Sequence, residues 1–292
     1  MSAMQPEEWA AAGPAQDSRD LPDQQESDHR RLAVVITGGT RGIGAGIATA
    51  FLRAGHDVMI CSRTAPSDQA DTTGPGEGPV LPRTADRTAT FCQADVRDPE
   101  QASRLIRAAA DEFGRVDVVI SNAGGSPEAA AASVSPRFHQ KIIELNLVAP
   151  LHVAQSANAV MQDQDTGGSI IMIGSVSGMR PSPGTAAYGA AKAGLHHLVT
   201  SLAIEWAPKV RMNCVAPGLV ETEAAAAHYG GPSGIEVVRQ TVPLQRMGTP
   251  DDVAAACLFL ASSQAAYISG ATLVLHGGGE SPAFLAAARG QS

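Results

Sequence analysis

Short runs of branched aliphatic residues recur along this chain and alternate with Ala-rich stretches whose apolar positions fall three and four residues apart. The runs lie at 32–37, 57–62, 89–93, 116–121, 168–174, 209–215 and 271–275, and helical spacing is clearest at 99–113, 135–162, 186–207 and 250–262. A further helix follows the first run, where Ile43, Ile47, Ala50, Phe51 and Ala54 share a face. Runs such as 116–120 and 170–173 are apolar on both faces, the pattern of a parallel sheet covered by helices on both sides with right-handed crossovers. The expected architecture is therefore α/β, a doubly wound parallel sheet of about seven strands with helices on both faces. Pro99 and Pro250 sit where a first-turn proline is tolerated, behind the candidate caps Asp98 and Thr249.

No internal repeat and no second compositional break interrupt 32–280, which reads as one domain. Residues 1–31 hold seven acids and three bases, half of the net charge of −8, and few apolar anchors, so they are expected to form a disordered acidic tail. Residues 281–292 form a second tail, whose Phe284 and Leu285 would dock on a neighbouring subunit or fray. One crossover departs from the pattern. Pro66, Pro75, Pro79 and Pro82 with Gly74, Gly76 and Gly78 leave room for at most a turn of helix near 67–70, so 64–88 is otherwise expected to be an exposed loop. The excess of acid argues against a nucleic-acid surface. The first residues lack a basic segment followed by an apolar run, and no stretch of about 20 apolar residues occurs, so a cytoplasmic protein without a membrane partner is expected. Cys61, Cys92, Cys214 and Cys257 are widely separated in apolar segments and read as buried free thiols. No metal-ligand spacing occurs, and adjacent His196 and His197 point about 100° apart on a helix rather than converging.

Between the first strand and its helix stand Thr37, Gly38, Gly39, Thr40, Arg41, Gly42, Ile43 and Gly44. Gly38 permits a tight turn, while Gly42 and Gly44 clear side chains from where backbone would approach a pyrophosphate at the helix N-terminus. The glycines run G-x3-G-x-G rather than G-x-G-x-x-G. An acid at the end of the second strand would bind the ribose hydroxyls of NAD, but this chain has Cys61, Ser62 and Arg63 there. Arg63 and Arg41 could converge on the extra phosphate of NADP(H), which is favoured over NAD(H), unless both are simply solvated.

Tyr188 and Lys192 are four residues apart on one helical stretch, so phenol and ammonium share a face. A Tyr with a pKa near ~10 is a poor base at neutral pH, but a neighbouring cation favours its phenolate. Ser175 closes the strand at 168–174, at the carboxyl end where open α/β sheets bind ligands. A Tyr–Lys pair alone is often amphipathic surface; with the serine and the glycine turn it is a constellation.

With these residues in order, 32–279 resembles the short-chain dehydrogenase/reductase family, in particular its single-domain 3-oxoacyl-[acyl-carrier-protein] reductases. The resemblance is carried by the glycine turn, Asp95, the run Asn122, Ala123 and Gly124, Asn146, Ser175, Tyr188, Lys192, and the run Pro217, Gly218, Leu219, Val220, Glu221 and Thr222. It implies a Rossmann-like fold with Tyr188 as general acid/base, Ser175 on the substrate oxygen, and Lys192 lowering the Tyr188 pKa and holding the nicotinamide ribose. Asn146 would support a water linking Lys192 to solvent. The implied nucleotide contacts are Gly38, Thr40, Arg41, Gly42, Ile43, Gly44, Arg63, Asp95 and Val96 on the adenosine and pyrophosphate side. Asn122, Ala123, Gly124, Tyr188, Lys192, Pro217, Gly218, Val220 and Thr222 follow toward the nicotinamide. Asp95 would meet the adenine, and Val220 and Thr222 the carboxamide.

The implied activity is hydride transfer between nicotinamide and a ketone or secondary alcohol, with carbonyl reduction favoured. An NAD-dependent secondary-alcohol or hydroxysteroid-like dehydrogenase is the alternative, and a non-catalytic dinucleotide-binding regulator a remote one. A homo-oligomer, dimer or tetramer, is implied. Departures are the Pro/Gly loop, both tails and Leu275, His276, Gly277, Gly278 where the family often has Val-Asp-Gly-Gly. Gly125, Ser126, Val176, Met179, Arg180, Ser182 and 221–242 would line a largely apolar pocket, the last as a mobile lid of short helices broken at Gly230, Gly231 and Pro232. His228 and Tyr229 read as packing or surface groups, and Arg180 as a solvated cation rather than a phosphate ligand.

Overall fold

The computed structural model describes residues 30–66, 80–223, 225 and 229–280. Of the expected tail at 1–31, residues 1–29 lie outside the described residues, as do the tail at 281–292, the helical turn near 67–70 and His228. The strands are β1 (Ala33–Thr37), β2 (Asp57–Ser62), β3 (Thr90–Gln93), β4 (Val118–Ser121), β5 (Gly168–Ile173), β6 (Val210–Pro217) and β7 (Thr272–Leu275). They form one seven-stranded parallel sheet in the order β3-β2-β1-β4-β5-β6-β7. This is a Rossmann-like α/β fold.

Strand periodicity sorts the core. Val34 and Ile36 face one side with Val58, Ile60, Val118, Ile120, Ile171 and Ile173, and are covered by α1 (Gly42–Arg53) and α7 (Pro250–Ala261). Val35 faces the other side with Met59, Val119, Ile170, Met172 and Met212, under α2 (Pro99–Phe113), α4 (Ala149–Asp163) and α5 (Ala186–Glu205). Each fully buried Ile or Met contributes about 1.5–3 kcal/mol of transfer free energy, which is why both faces had to be apolar.

Helix starts follow the capping residues. Asp98 accepts from the N–H groups of Glu100 at 2.9 Å and Gln101 at 3.3 Å, and Gly114 ends α2 at φ 73°. Thr249 and Asp252 form a reciprocal capping box at the start of α7. The single helix expected over 135–162 is instead three pieces, α3 (Pro136–Ile143), a π-helical segment Glu144–Val148, and α4. Pro150 has no N–H to donate to the Asn146 carbonyl, and the ladder lengthens so that the Ala149 N–H meets the Glu144 carbonyl. Within the segment read as a lid, α6 (Gly231–Thr241) starts at the Gly230/Gly231 break.

Of the crossover at 64–88, residues 67–79 lie outside the described residues. Its described return, 80–88, is pinned by a Val80 N–H bond to the Thr40 carbonyl at 2.8 Å and by a short bridge between Arg83 and Thr88.

Candidate active site

Because every strand is parallel, the residues that follow β1, β2, β3, β4, β5 and β6 meet at one sheet edge, and the order reverses between β1 and β4. At that crevice the Thr37 hydroxyl accepts the N–H groups of Asn122 at 3.0 Å and Ala123 at 2.9 Å. Asn122 Nδ2 returns bonds to the carbonyls of Thr37 at 2.9 Å and Gly38 at 3.1 Å. The glycine turn is thus locked to the loop after β4. Gly38 stands at φ 67° and Gly42 at φ 54°, a region that favours glycine.

The N-terminus of α1 carries no capping side chain of its own: Arg41, at its N-cap, is extended and makes no cap bond. Its Gly42 N–H instead donates to Glu223 Oε2 at 3.2 Å. A carboxylate thus stands where the turn and helix end favour an anion, so the residues fit a dinucleotide pyrophosphate. Arg41 and Arg63 are exposed, and neither guanidinium makes an ion pair among the described residues. Asp95 is engaged differently from a bare adenine ligand. Its carboxylate takes Arg97 Nε at 2.9 and 3.1 Å, and that hydrogen-bonded guanidinium holds the Asp95 pKa below the usual carboxylate range.

Ser175 lies at the end of β5, two residues past Ile173. Its hydroxyl oxygen accepts the Ser177 N–H at 3.1 Å and its carbonyl the Gly178 N–H at 3.0 Å, within the 3₁₀ turn Val176–Gly178. Tyr188 stands in the first turn of α5, hydrogen-bonded to Ser175. Lys192 lies one turn further on, 3% exposed, with Nζ 2.7 Å from the Ile173 carbonyl and 5.6 Å from the centre of the Tyr188 ring. Burial pulls this ammonium down to about 8, still charged at neutral pH. The expected lowering of the Tyr188 phenol is not met by the protein's own groups: burial raises its pKa, and the Ser175 hydrogen bond only opposes that rise.

Asn146 is fully buried in the π segment. Its Oδ1 accepts the Gly125 N–H at 2.8 Å, while Nδ2 donates to the carbonyls of Gly125 and Ile142, both at 2.9 Å. Both amide protons are therefore spent on backbone, and the side chain ties the loop after β4 to the helix beneath it. A β-carbon on the neighbouring Gly124 would stand 2.8 Å from Asn146 Oδ1 and 3.4 Å from Lys192 Nζ, so the three residues are packed together.

Comparison with known proteins fits this arrangement. A family model described as enoyl-(acyl carrier protein) reductase matches residues 38–280. An uncharacterised oxidoreductase of Mycobacterium tuberculosis is 37% identical over 84% of this chain and 90% of its own length. The 3-oxoacyl-[acyl-carrier-protein] reductase of Chlamydia muridarum is 33% identical over 84% of this chain and 96% of its own. The chain belongs to the short-chain dehydrogenase/reductase family. Among solved structures, the aldohexose dehydrogenase of Thermoplasma acidophilum superposes with a TM-score of 0.74 at 29% identity, covering 86% of this chain and 95% of that one. Members of this family are oxidoreductases that use nicotinamide cofactors, and the relatives' differing names leave the substrate to the site itself.

Around the mouth of this dehydrogenase/reductase site, Arg180 is paired with Glu280 rather than simply solvated. Tyr229 is half-buried, and burial and Glu280 raise its pKa while Arg180 opposes them. Of the segment read as a lid, Glu221 is held by Arg239 at 2.8 Å. His276 packs over Gly218, where a β-carbon would come within 2.7 Å of the histidine Cβ. Four participants escaped the sequence reading. Pro150 carried a visible signal, a proline inside a helical pattern. Val80, Glu223 and His196 carried none, since their partners lie far away in the chain. Among the described residues no cluster of three metal-ligating side chains occurs, and no helix is long and apolar enough to cross a membrane.

Proposed function

We propose that this chain is an NADP(H)-dependent carbonyl reductase or secondary-alcohol dehydrogenase in which Tyr188 is the general acid/base. The observation that carries the reading is the convergence of Ser175, Tyr188 and Lys192 beside the glycine turn at one sheet edge. Gly38, Thr40, Gly42, Ile43 and Gly44 would hold the pyrophosphate, and Arg41 and Arg63 the additional phosphate. Asp95 and Val96 would border the adenine. Asn122, Ala123, Gly124, Pro217, Gly218, Val220 and Thr222 would seat the nicotinamide half. When bound, the nicotinamide supplies or accepts the hydride.

Tyr188 keeps its proton at neutral pH, because burial raises its pKa, so it is poised to protonate a carbonyl oxygen. Ser175 donates a hydrogen bond to the same oxygen as negative charge develops there. Lys192, cationic below about 8, stabilises the phenolate left behind. Asn146 holds the loop after β4 through Gly125, with Gly124 packed between its side chain and Lys192. The catalytic unit is read as 32–280, acting as a homo-oligomer on a largely apolar ketone or alcohol.

Assays with purified protein and NADPH, NADP, NADH or NAD against ketones, 3-oxoacyl thioesters and secondary alcohols test the reading. Tyr188→Phe is expected to abolish turnover while nucleotide binding persists; unchanged activity sinks the mechanism. Arg63→Ala is expected to weaken NADPH about tenfold more than NADH, in line with a lost charge-assisted phosphate contact. Equal losses would mean that the guanidinium never meets the phosphate and would favour the NAD-dependent alternative.

A further inference from the structure

His196 lies one turn beyond Lys192 on α5, half-buried, with its ring against the end of β5. Its Nε2 accepts the Ser175 N–H at 3.4 Å. Two glycines make the seat: a β-carbon on Gly174 would stand 2.4 Å from that nitrogen, and one on Gly178 would stand 3.0 Å from Cε1. Besides its hydrogen bond with Tyr188, Ser175 makes three more. Those to Ser177 and Gly178 lie inside the serine's own turn. The bond to His196 joins the turn to the helix that carries Tyr188 and Lys192.

We propose that His196 is a positioning residue for the reaction, its neutral ring protonated at Nδ1 and holding the Ser175 amide so that the serine hydroxyl stays aligned with Tyr188. The inference rests on the assignment of Ser175 and Tyr188 made above. A ring nitrogen that accepts a hydrogen bond carries no proton, so the Ser175 N–H selects the tautomer. Protonation would set an N–H against an N–H and a cation beside another. The titratable groups at the seat are Lys192 on the same helix and Cys214 on β6, whose Sγ would lie 2.7 Å from a Gly174 β-carbon. Ser175 and its turn bring no charge. Burial first, then Lys192, hold the His196 pKa below its ordinary value of 6.5. The imidazole therefore remains neutral through the physiological range, and the serine loses its tether only in acid.

Two variants and one spectrum test this. The Nε2 signal in ¹⁵N NMR of the full chain at pH 7 is expected at the position of a bare nitrogen; a protonated Nε2 overturns the proposal without any assay. His196→Leu, which cannot accept, is expected to lower kcat about tenfold or more against whichever ketone the panel identifies, with KM for the nucleotide within about twofold, as befits a misplaced serine rather than a lost binding group. His196→Gln, whose amide oxygen accepts the same N–H, is expected to restore most of kcat at pH 7. It should also lose the fall in rate in acid that loss of the tether predicts for the unmodified protein. A His196→Leu protein with full kcat, or a His196→Gln protein as impaired as His196→Leu, overturns it. Should His196→Leu not fold, the spectrum and the His196→Gln profile decide. Retained turnover in Tyr188→Phe would instead remove the assignment beneath, leaving the imidazole spectrum unchanged.

Discussion

A β-carbon on Gly44 would stand 2.2 Å from the Gly38 carbonyl oxygen and 2.5 Å from Asn122 Nδ2, so this residue is where the glycine turn closes on itself and on the loop after β4. Gly44→Ala is expected to cost about 1–3 kcal/mol in urea denaturation, as overpacking against backbone does, and to weaken nucleotide binding about tenfold in a fluorescence titration. Affinity unchanged at normal stability would mean that the turn does not cradle the ligand. The need for glycine here was legible in the sequence because it is local: strand, turn and helix signals are adjacent. The roles of His196 and Glu223 were not, because His196 meets Ser175 across 21 residues and Glu223 meets Gly42 across 181. Asp95 shows another limit. The residue was marked by its place after β3, yet its pairing with Arg97 depends on a side-chain conformation that no spacing pattern encodes.

At the scale of elements, the reading from sequence succeeded where one residue decides a helix end. Asp98 and Thr249 cap α2 and α7 as their positions suggest, because a cap bond spans only two or three residues. It failed across 135–162, where apolar periodicity runs on through the π segment and only the missing Pro150 N–H breaks the ladder. The box at α7 has a pH signature. Asp252 is held well below the usual carboxylate range by the Arg246 guanidinium and by bonds to Thr249. A depressed folded pKa contributes stability that is present above the unfolded value and lost as pH falls toward the folded one. Asp252→Asn is therefore expected to cost about 1 kcal/mol at pH 7, a typical capping magnitude, with the gap to the parent narrowing below about pH 4. Urea midpoints at pH 7 and pH 3 check this, and an equal gap at both values would show that the charge is irrelevant to the box.

Across the whole molecule, the cleft joins segments from both halves of the sheet, and Glu223 spans it by reaching the start of α1 from the segment after β6. A pyrophosphate at that helix end would have to displace the carboxylate, so nucleotide entry is expected to be coupled to the position of Glu223. Glu223→Gln is expected to tighten NADPH binding about two- to fivefold, matching the few tenths to one kcal/mol that a charge at a helix terminus carries. Calorimetry on the parent and the variant measures it, and weaker binding in the variant would show that the side chain supports the ligand instead. The sheet order carries a consequence in time as well as in space. Strand β1 sits between β2 and β4, and its turn is complete only when Asn122 arrives to bond Thr37 and Gly38. On a ribosome, the glycine turn emerges well before Asn122 and must wait for some 80 further residues before it acquires this shape, a delay that non-local pairing imposes on any parallel sheet.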